Sequence, residues 1–266
     1  FDSGYGGLTI LKSIREELPQ YDYLYLGDNA RSPYGPRSFE VVYDFTLQAV
    51  RRLFELGCHL VILACNTASA KALRSIQVND LPYLDAERRV LGVIRPTVEQ
   101  IGNLTLNQHV GILATAGTVL SHSYDLELTK FYPGMQVSSV PCPMWVPLIE
   151  NNEFNSPGAD YFVQKYLNQL LTMDPAIDTI ILGCTHYPLL MEKIRKYCPG
   201  NITLVPQGQY VADSLADYLQ RHPEMERRCT KGGGCHFLTT ESPEKFMESA
   251  TVFLNEEIQA KKIILE

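Results

Sequence analysis

Thr179-Ile-Ile-Leu-Gly-Cys-Thr-His186 runs four β-branched or apolar residues into a glycine, a cysteine and two hydrogen-bonding side chains. A short apolar run closed by small and polar residues reads as a strand buried on both faces that ends in a turn. The pattern also occurs earlier, as Leu60-Val-Ile-Leu-Ala-Cys-Asn-Thr67. Each run leads into a helical stretch, so each reads as a βα unit of a mostly parallel sheet.

Outward from these two runs, further strands are expected at Tyr23 to Leu26, Val90 to Ile94, Val110 to Ala114, Val137 to Val140 and Ile202 to Val205, with a last one from Cys235 to Thr240. Between them, Leu11, Ile14 and Leu18 share a helical face. So do Val42, Phe45, Ala49, Leu53 and Leu56, a face that Gly57 can end. Further helices are expected from Pro96, Thr118, Gly158, Leu189 and Val211. This exceeds what one doubly wound unit of about 150 residues holds. The expectation is an α/β protein of two similar domains with mostly parallel sheets facing a shared cleft. Residues 1–95 with 207–266 would form the first, carrying Cys65, and residues 96–206 the second, carrying Cys184. Phe1-Asp-Ser-Gly4 looks like a strand end with no strand before it, so residues upstream are expected, the first strand among them.

Composition narrows the function. The 266 residues are 45% hydrophobic and 20% charged, which excludes a disordered chain. With 23 Lys and Arg against 30 Asp and Glu the formal charge is −7, and no basic patch offsets it, so neither nucleic acid nor an anionic membrane is expected as a partner. Seven cysteines are too few for a disulfide scaffold and odd in number, which suits a reducing, cytoplasmic setting. No apolar run of 18 residues and no signal-peptide pattern occurs.

Ligands of open α/β sheets lie beyond the carboxyl ends of the strands, which is where Cys65 and Cys184 fall. Helix N-termini there offer free N–H groups, and Asn66, Thr67 and Thr185 add neutral donors. One cysteine at a strand end is by default a small buried hydrophobe. Two at matching positions, each trailed by polar residues, are candidates for chemistry. His186 lies two residues past Cys184, close enough in a turn to tune a thiol, although a histidine satisfied by backbone is the plain alternative. Asp2 opens the Ser3-Gly-Tyr-Gly-Gly7 turn at the same sheet edge, as catalytic acid or as simple cap. The Gly4-Tyr-Gly-Gly-Leu-Thr9 run invites a dinucleotide fingerprint, with Asp28 at the ribose position, but Thr9 replaces the third glycine, which makes a nicotinamide or flavin enzyme a minor reading. Ser32-Pro-Tyr-Gly-Pro36 is a structured loop placed to wall a site. Cys229, Cys235 and His236 lack the spacing of a metal site.

Taken in order, Phe1-Asp-Ser-Gly-Tyr-Gly-Gly-Leu-Thr9, Gly27-Asp28, Ser32-Pro-Tyr-Gly35, Cys65-Asn-Thr-Ala-Ser69, Ala114-Thr-Ala-Gly-Thr118, Cys142-Pro-Met-Trp-Val-Pro-Leu-Ile-Glu150 and Gly183-Cys-Thr-His-Tyr-Pro188 resemble the glutamate racemases over nearly the whole chain. The resemblance implies a cofactor-independent, metal-free isomerase that supplies D-glutamate for peptidoglycan, with glutamate as its small-molecule partner and a homodimeric assembly. Cys65 and Cys184 would be the two acid/base residues on opposite faces of the substrate Cα, Cys184 taking the proton from the L-isomer and Cys65 from the D-isomer. Asp2 would assist Cys65, and His186 with Glu150 would assist Cys184. Substrate contacts would come from Asp2, Ser3, Pro33, Tyr34, Gly35, Asn66, Thr67, Thr115, Thr118, Thr185 and His186. The alternatives are a racemase of aspartate or a related amino acid, and a two-domain amino-acid binding protein without chemistry.

Overall fold

The computed structural model describes residues 1–266. Nine strands alternate with helices, the expected α/β class, and every strand pair is parallel. The strands are β1 (Tyr23–Gly27), β2 (Leu60–Leu63), β3 (Arg89–Gly92), β4 (His109–Ala114), β5 (Gln136–Pro141), β6 (Thr179–Gly183), β7 (Thr203–Val205), β8 (Cys235–Thr239) and β9 (Ala260–Lys262).

One sheet has the order β5-β4-β6-β7. Every residue of β6 is buried, as a central parallel strand with helices on both faces requires. Trp145 and Tyr187 meet edge to face over this sheet, with ring centroids 4.7 Å apart. The other strands form β1-β8-β9 and β2-β3. Phe1 and Asp2 join these two pieces at their carboxyl ends. The Phe1 amine donates to Ile62 O at 2.9 Å and Phe1 O accepts from Ala64 N at 2.8 Å. On the other side the Asp2 amide donates to Leu26 O, and Asp28 donates back to Asp2 O, each at 3.0 Å. Behind this two-residue bridge, between β1 and β2, lies an apolar slot of about 1110 Å³ lined by Ile10, Ile14, Tyr25, Leu53, Val61 and their neighbours.

The helix Phe39–Glu55 shows how local sequence sets the elements. Ser38 caps it by accepting from Val41 N, and Val42, Leu47, Ala49, Val50, Leu53 and Phe54 bury one face. Gly57 ends it in the left-handed region, φ +93, which lets the Cys58 amide reach back to Leu53 O. Several expected boundaries move. Strand β3 stops at Gly92 and Ile94 already belongs to the helix Ile94–Ile101, ahead of the expected start at Pro96. Proline fits within that first turn because it needs no intrahelical N–H partner there. The helix Pro157–Met173 likewise starts one residue before Gly158, on a Ser156 cap.

Candidate active site

The carboxyl ends of β2 and β6 lead directly into Cys65 and Cys184, both buried and free. Cys65 caps the helix Asn66–Lys71, its sulfur accepting from Ala68 N at 3.4 Å. Ser3 Oγ lies 3.3 Å from the same sulfur. Burial and then the charge of Asp2 push the Cys65 thiol up to about 12, against the opposing hydrogen bonds of Ser3 and Ala68. Cys65 is therefore a neutral thiol at physiological pH.

Cys184 has different company. Its sulfur is 3.7 Å from His186 Nδ1, and His186 Nε2 is 3.0 Å from Glu150 Oε1. Burial works against a charge on this imidazole, but the hydrogen bonds to Cys184 and Glu150 outweigh it and lift the pKa to about 10. His186 is thus a buried imidazolium between a sulfur and a carboxylate. Phe253 meets its ring edge-on at 5.6 Å.

The turn after Asp2 links the two thiols. Asp2 Oδ2 accepts from Gly4 N at 2.8 Å, and Gly4 O accepts from the Tyr25 hydroxyl at 3.0 Å. Thr9, the residue that spoils the dinucleotide fingerprint, donates its hydroxyl to Gly6 O at 2.9 Å and to Thr185 O at 2.8 Å, tying this turn to the Cys184 loop. Asp28 is fully buried and accepts from the Tyr34 hydroxyl at 2.5 Å, from Arg31 at 2.6 Å and from Thr240 at 2.9 Å. Those bonds hold the Ser32–Pro36 loop and occupy the carboxylate that a ribose would need, which removes the dinucleotide reading.

Ser3, Asn66, Thr67, Thr118, Thr185 and His186 are all buried around these groups. Thr67 Oγ1 is 3.0 Å from Thr115 Oγ1, which is 3.0 Å from Thr118 Oγ1, so one hydroxyl chain spans the ends of β2 and β4. Gly35 packs on Thr115, where an added Cβ would meet the Thr115 side chain at 3.3 Å. The structure gives Tyr34 and Pro33 less direct places. The Tyr34 hydroxyl is engaged by Asp28, and Pro33 faces outward. Cys229, Cys235 and His236 lie around the turn into β8, and no metal-binding cluster of His, Cys, Asp and Glu forms anywhere. Two buried residues that the sequence did not mark, Tyr124 and Gln207, hydrogen-bond Asn66.

Residues 8–214 match the Asp/Glu/hydantoin racemase family model. A glutamate racemase of Roseobacter denitrificans is 40% identical over 97% of each chain. Among solved structures, a glutamate racemase from Bacillus anthracis superposes with a TM-score of 0.90 at 32% identity, over 99% of this chain and 96% of the other. The Francisella tularensis glutamate racemase, in complex with D-glutamate, reaches 0.87 at 32% identity over 100% and 95%. Similarity of this depth along almost the full length places the chain: it belongs to the Asp/Glu/hydantoin racemase family, within its glutamate racemases.

Proposed function

We propose that the protein interconverts L- and D-glutamate by two-base proton transfer at Cα, with Cys65 and Cys184 as the two bases. The observation that carries this reading is the pair of buried, unpaired thiols at the carboxyl ends of β2 and β6, bordering one turn yet unlike in environment. Racemisation needs one group able to accept a proton and another, on the opposite face, holding one. Cys65, pushed up to about 12, holds its proton. Beside Cys184, 3.7 Å from its sulfur, stands the charged ring of His186. The Cys184 thiolate removes the α-proton of L-glutamate, the electron pair passes into the α-carboxylate, and the Cys65 thiol then delivers its proton to the far face. In the reverse direction the roles exchange.

The barrier is the charge that develops on the α-carboxylate once Cα loses its proton. Donors fixed before reaction lower it most, because they need no reorganisation. The Thr67, Thr115, Thr118 and Thr185 hydroxyls, the Asn66 amide and Ser3 are such donors, each hidden or half-hidden from solvent. Asp2 stands by Cys65, and Glu150 holds the outer nitrogen of His186. Burial of the site excludes water, which keeps the proton between the two sulfurs.

The same proposal divides the chain at residues 95/96 and 206/207, because β1, β2, β3, β8 and β9 lie outside those limits and β4 to β7 within them. It extends to a homodimer in the cytoplasm that supplies D-glutamate for peptidoglycan; no helix is long and apolar enough to cross a membrane. Light scattering on purified protein reads the assembly. Circular dichroism of L- or D-glutamate incubated with protein that has received neither pyridoxal phosphate nor metal tests the activity. Loss of the signal toward zero from either enantiomer is the expected result. An unchanged signal refutes the proposal, and faster turnover of aspartate would move it to that substrate.

A further inference from the structure

Asn66, a substrate contact in the proposed function, is not free to turn. Its Nδ2 donates to Gln207 Oε1 at 2.6 Å, and its Oδ1 accepts from the Tyr124 hydroxyl at 2.8 Å. Gln207 Nε2 donates to the Tyr124 oxygen at 2.8 Å. The three side chains therefore close a ring in which each donates once and accepts once, and all three are 2% exposed. In such a ring the bonds polarise one another, and none can reverse alone. Turning the Asn66 amide over would set its oxygen against Gln207 Oε1, so the ring fixes which end of the amide is which. An amide nitrogen carries two hydrogens, and the ring uses one. The second N–H is what Asn66 has left to offer a carboxylate.

The ring is also anchored where the chain crosses between the sheets. Gln207 Nε2 lies 3.2 Å from both Val93 O and Thr97 Oγ1, where the chain leaves β3 for the helix Ile94–Ile101. Gln207 itself stands where the chain leaves β7 for the helix Gly208–Arg221. Tyr124 belongs to the helix Ser123–Phe131, which packs on the four-stranded sheet through Leu128. One amide thus gathers both crossings, the second sheet and the residue next to Cys65.

We propose that Gln207 and Tyr124 are positioning residues for racemisation: they lock the Asn66 amide in the orientation that presents its free N–H to the substrate carboxylate, and they tie that orientation to the setting of the two sheets. This rests on Asn66 contacting substrate. The test is a double-mutant cycle on the full chain, with Tyr124→Phe and Asn66→Ala singly and together, and Gln207→Glu in place of Tyr124→Phe should that variant fail to fold. Tyr124→Phe keeps the ring's shape and removes one O–H. It should raise KM for both enantiomers roughly five- to tenfold with kcat within about twofold, the signature of lost ground-state binding, while Tm moves by only a few degrees. In the Asn66→Ala background it should add nothing, because nothing remains to orient. A lowered Tm with unchanged KM, or effects that multiply in the double variant, overturns the inference. Wild-type protein that fails to racemise glutamate overturns the function first, so the two failures are told apart.

Discussion

Gly6 is where the turn after Asp2 comes closest to the Cys184 loop, and Gly6→Ala measures how much that closeness matters. An added Cβ would stand 2.3 Å from His186 Nδ1 and 2.5 Å from Thr185 Oγ1. Nonbonded heavy atoms settle at about 3.5 Å, so the two sides must part by about 1 Å. Neither side yields easily. His186 is held by Glu150 at 3.0 Å and flanked by Phe253, and Thr185 O is bonded to Thr9 at 2.8 Å. The backbone at Gly6, φ −58 and ψ −36, suits alanine, so no conformational strain enters, and the chain-entropy gain of about 0.5–1 kcal/mol works toward stability. The expected result is a folded protein with Tm within a few degrees of wild type. Its kcat should fall on the order of a hundredfold, the cost of misplacing a catalytic group by about 1 Å. Gly158→Ala is the control, since its Cβ would meet nothing nearer than 3.4 Å. Circular dichroism progress curves give kcat and thermal melts give Tm. If Gly6→Ala keeps kcat within about threefold of wild type while folded, the turn does not set the position of His186 and the reasoning fails.

Two other outcomes follow from separate parts of the structure. His186 binds its proton more tightly folded than unfolded, so its stabilising contribution is complete below about 6.5 and is lost as pH rises through about 10. Urea titrations should therefore show the stability gap between wild type and His186→Asn narrowing from pH 7 to pH 9.5, and a constant gap would contradict the charged imidazole. Tyr34→Phe removes the 2.5 Å bond to Asp28 and should cost about 1–2 kcal/mol in urea unfolding, with KM raised a few-fold as the Ser32–Pro36 loop loosens. An unaltered KM would show that the phenol does not set the loop.

The fold and the two buried cysteines at the sheet edge were readable from sequence for one physical reason. A parallel strand buried on both faces must be a short continuous apolar run, as Thr179–Gly183 is; Leu60–Leu63 carries the same run although alternate residues are only half-buried, and whatever follows the two runs lies at the sheet edge where ligands bind. Strand β9 did not stand out. Ala260–Lys262 pairs only with β8, and its two lysines are exposed, so no apolar pattern marks it. Asp28 looked like a ribose ligand because spacing reports distance along the chain. Only the fold shows that Tyr34, Arg31 and Thr240 occupy it. Gln207 and Tyr124 were invisible for a similar reason. An amide and a phenol far apart in sequence carry no motif, and their importance arises when both meet Asn66.

The unlike surroundings of the two thiols raise the question of how each face of the reaction can be observed. L- and D-glutamate have equal free energies, so kcat/KM must be equal in the two directions for the wild type and for every variant. Removing either sulfur therefore lowers both directions alike, and steady-state rates cannot say which cysteine serves which enantiomer. Proton exchange can. With Cys65→Ser, the proposed mechanism leaves Cys184 to remove the α-proton of L-glutamate, but no acid waits on the other face, and the proton should return from the side it left. In D2O that variant should wash deuterium into L-glutamate without forming D-glutamate, and it should leave D-glutamate unlabelled. Cys184→Ser should show the mirror image, more slowly, because the Cys65 thiol is held up near 12 by burial and Asp2 and is rarely a thiolate. Proton NMR of the α-hydrogen reads both results. Exchange of the same enantiomer by both variants would refute the assignment of the faces while leaving racemisation itself in place.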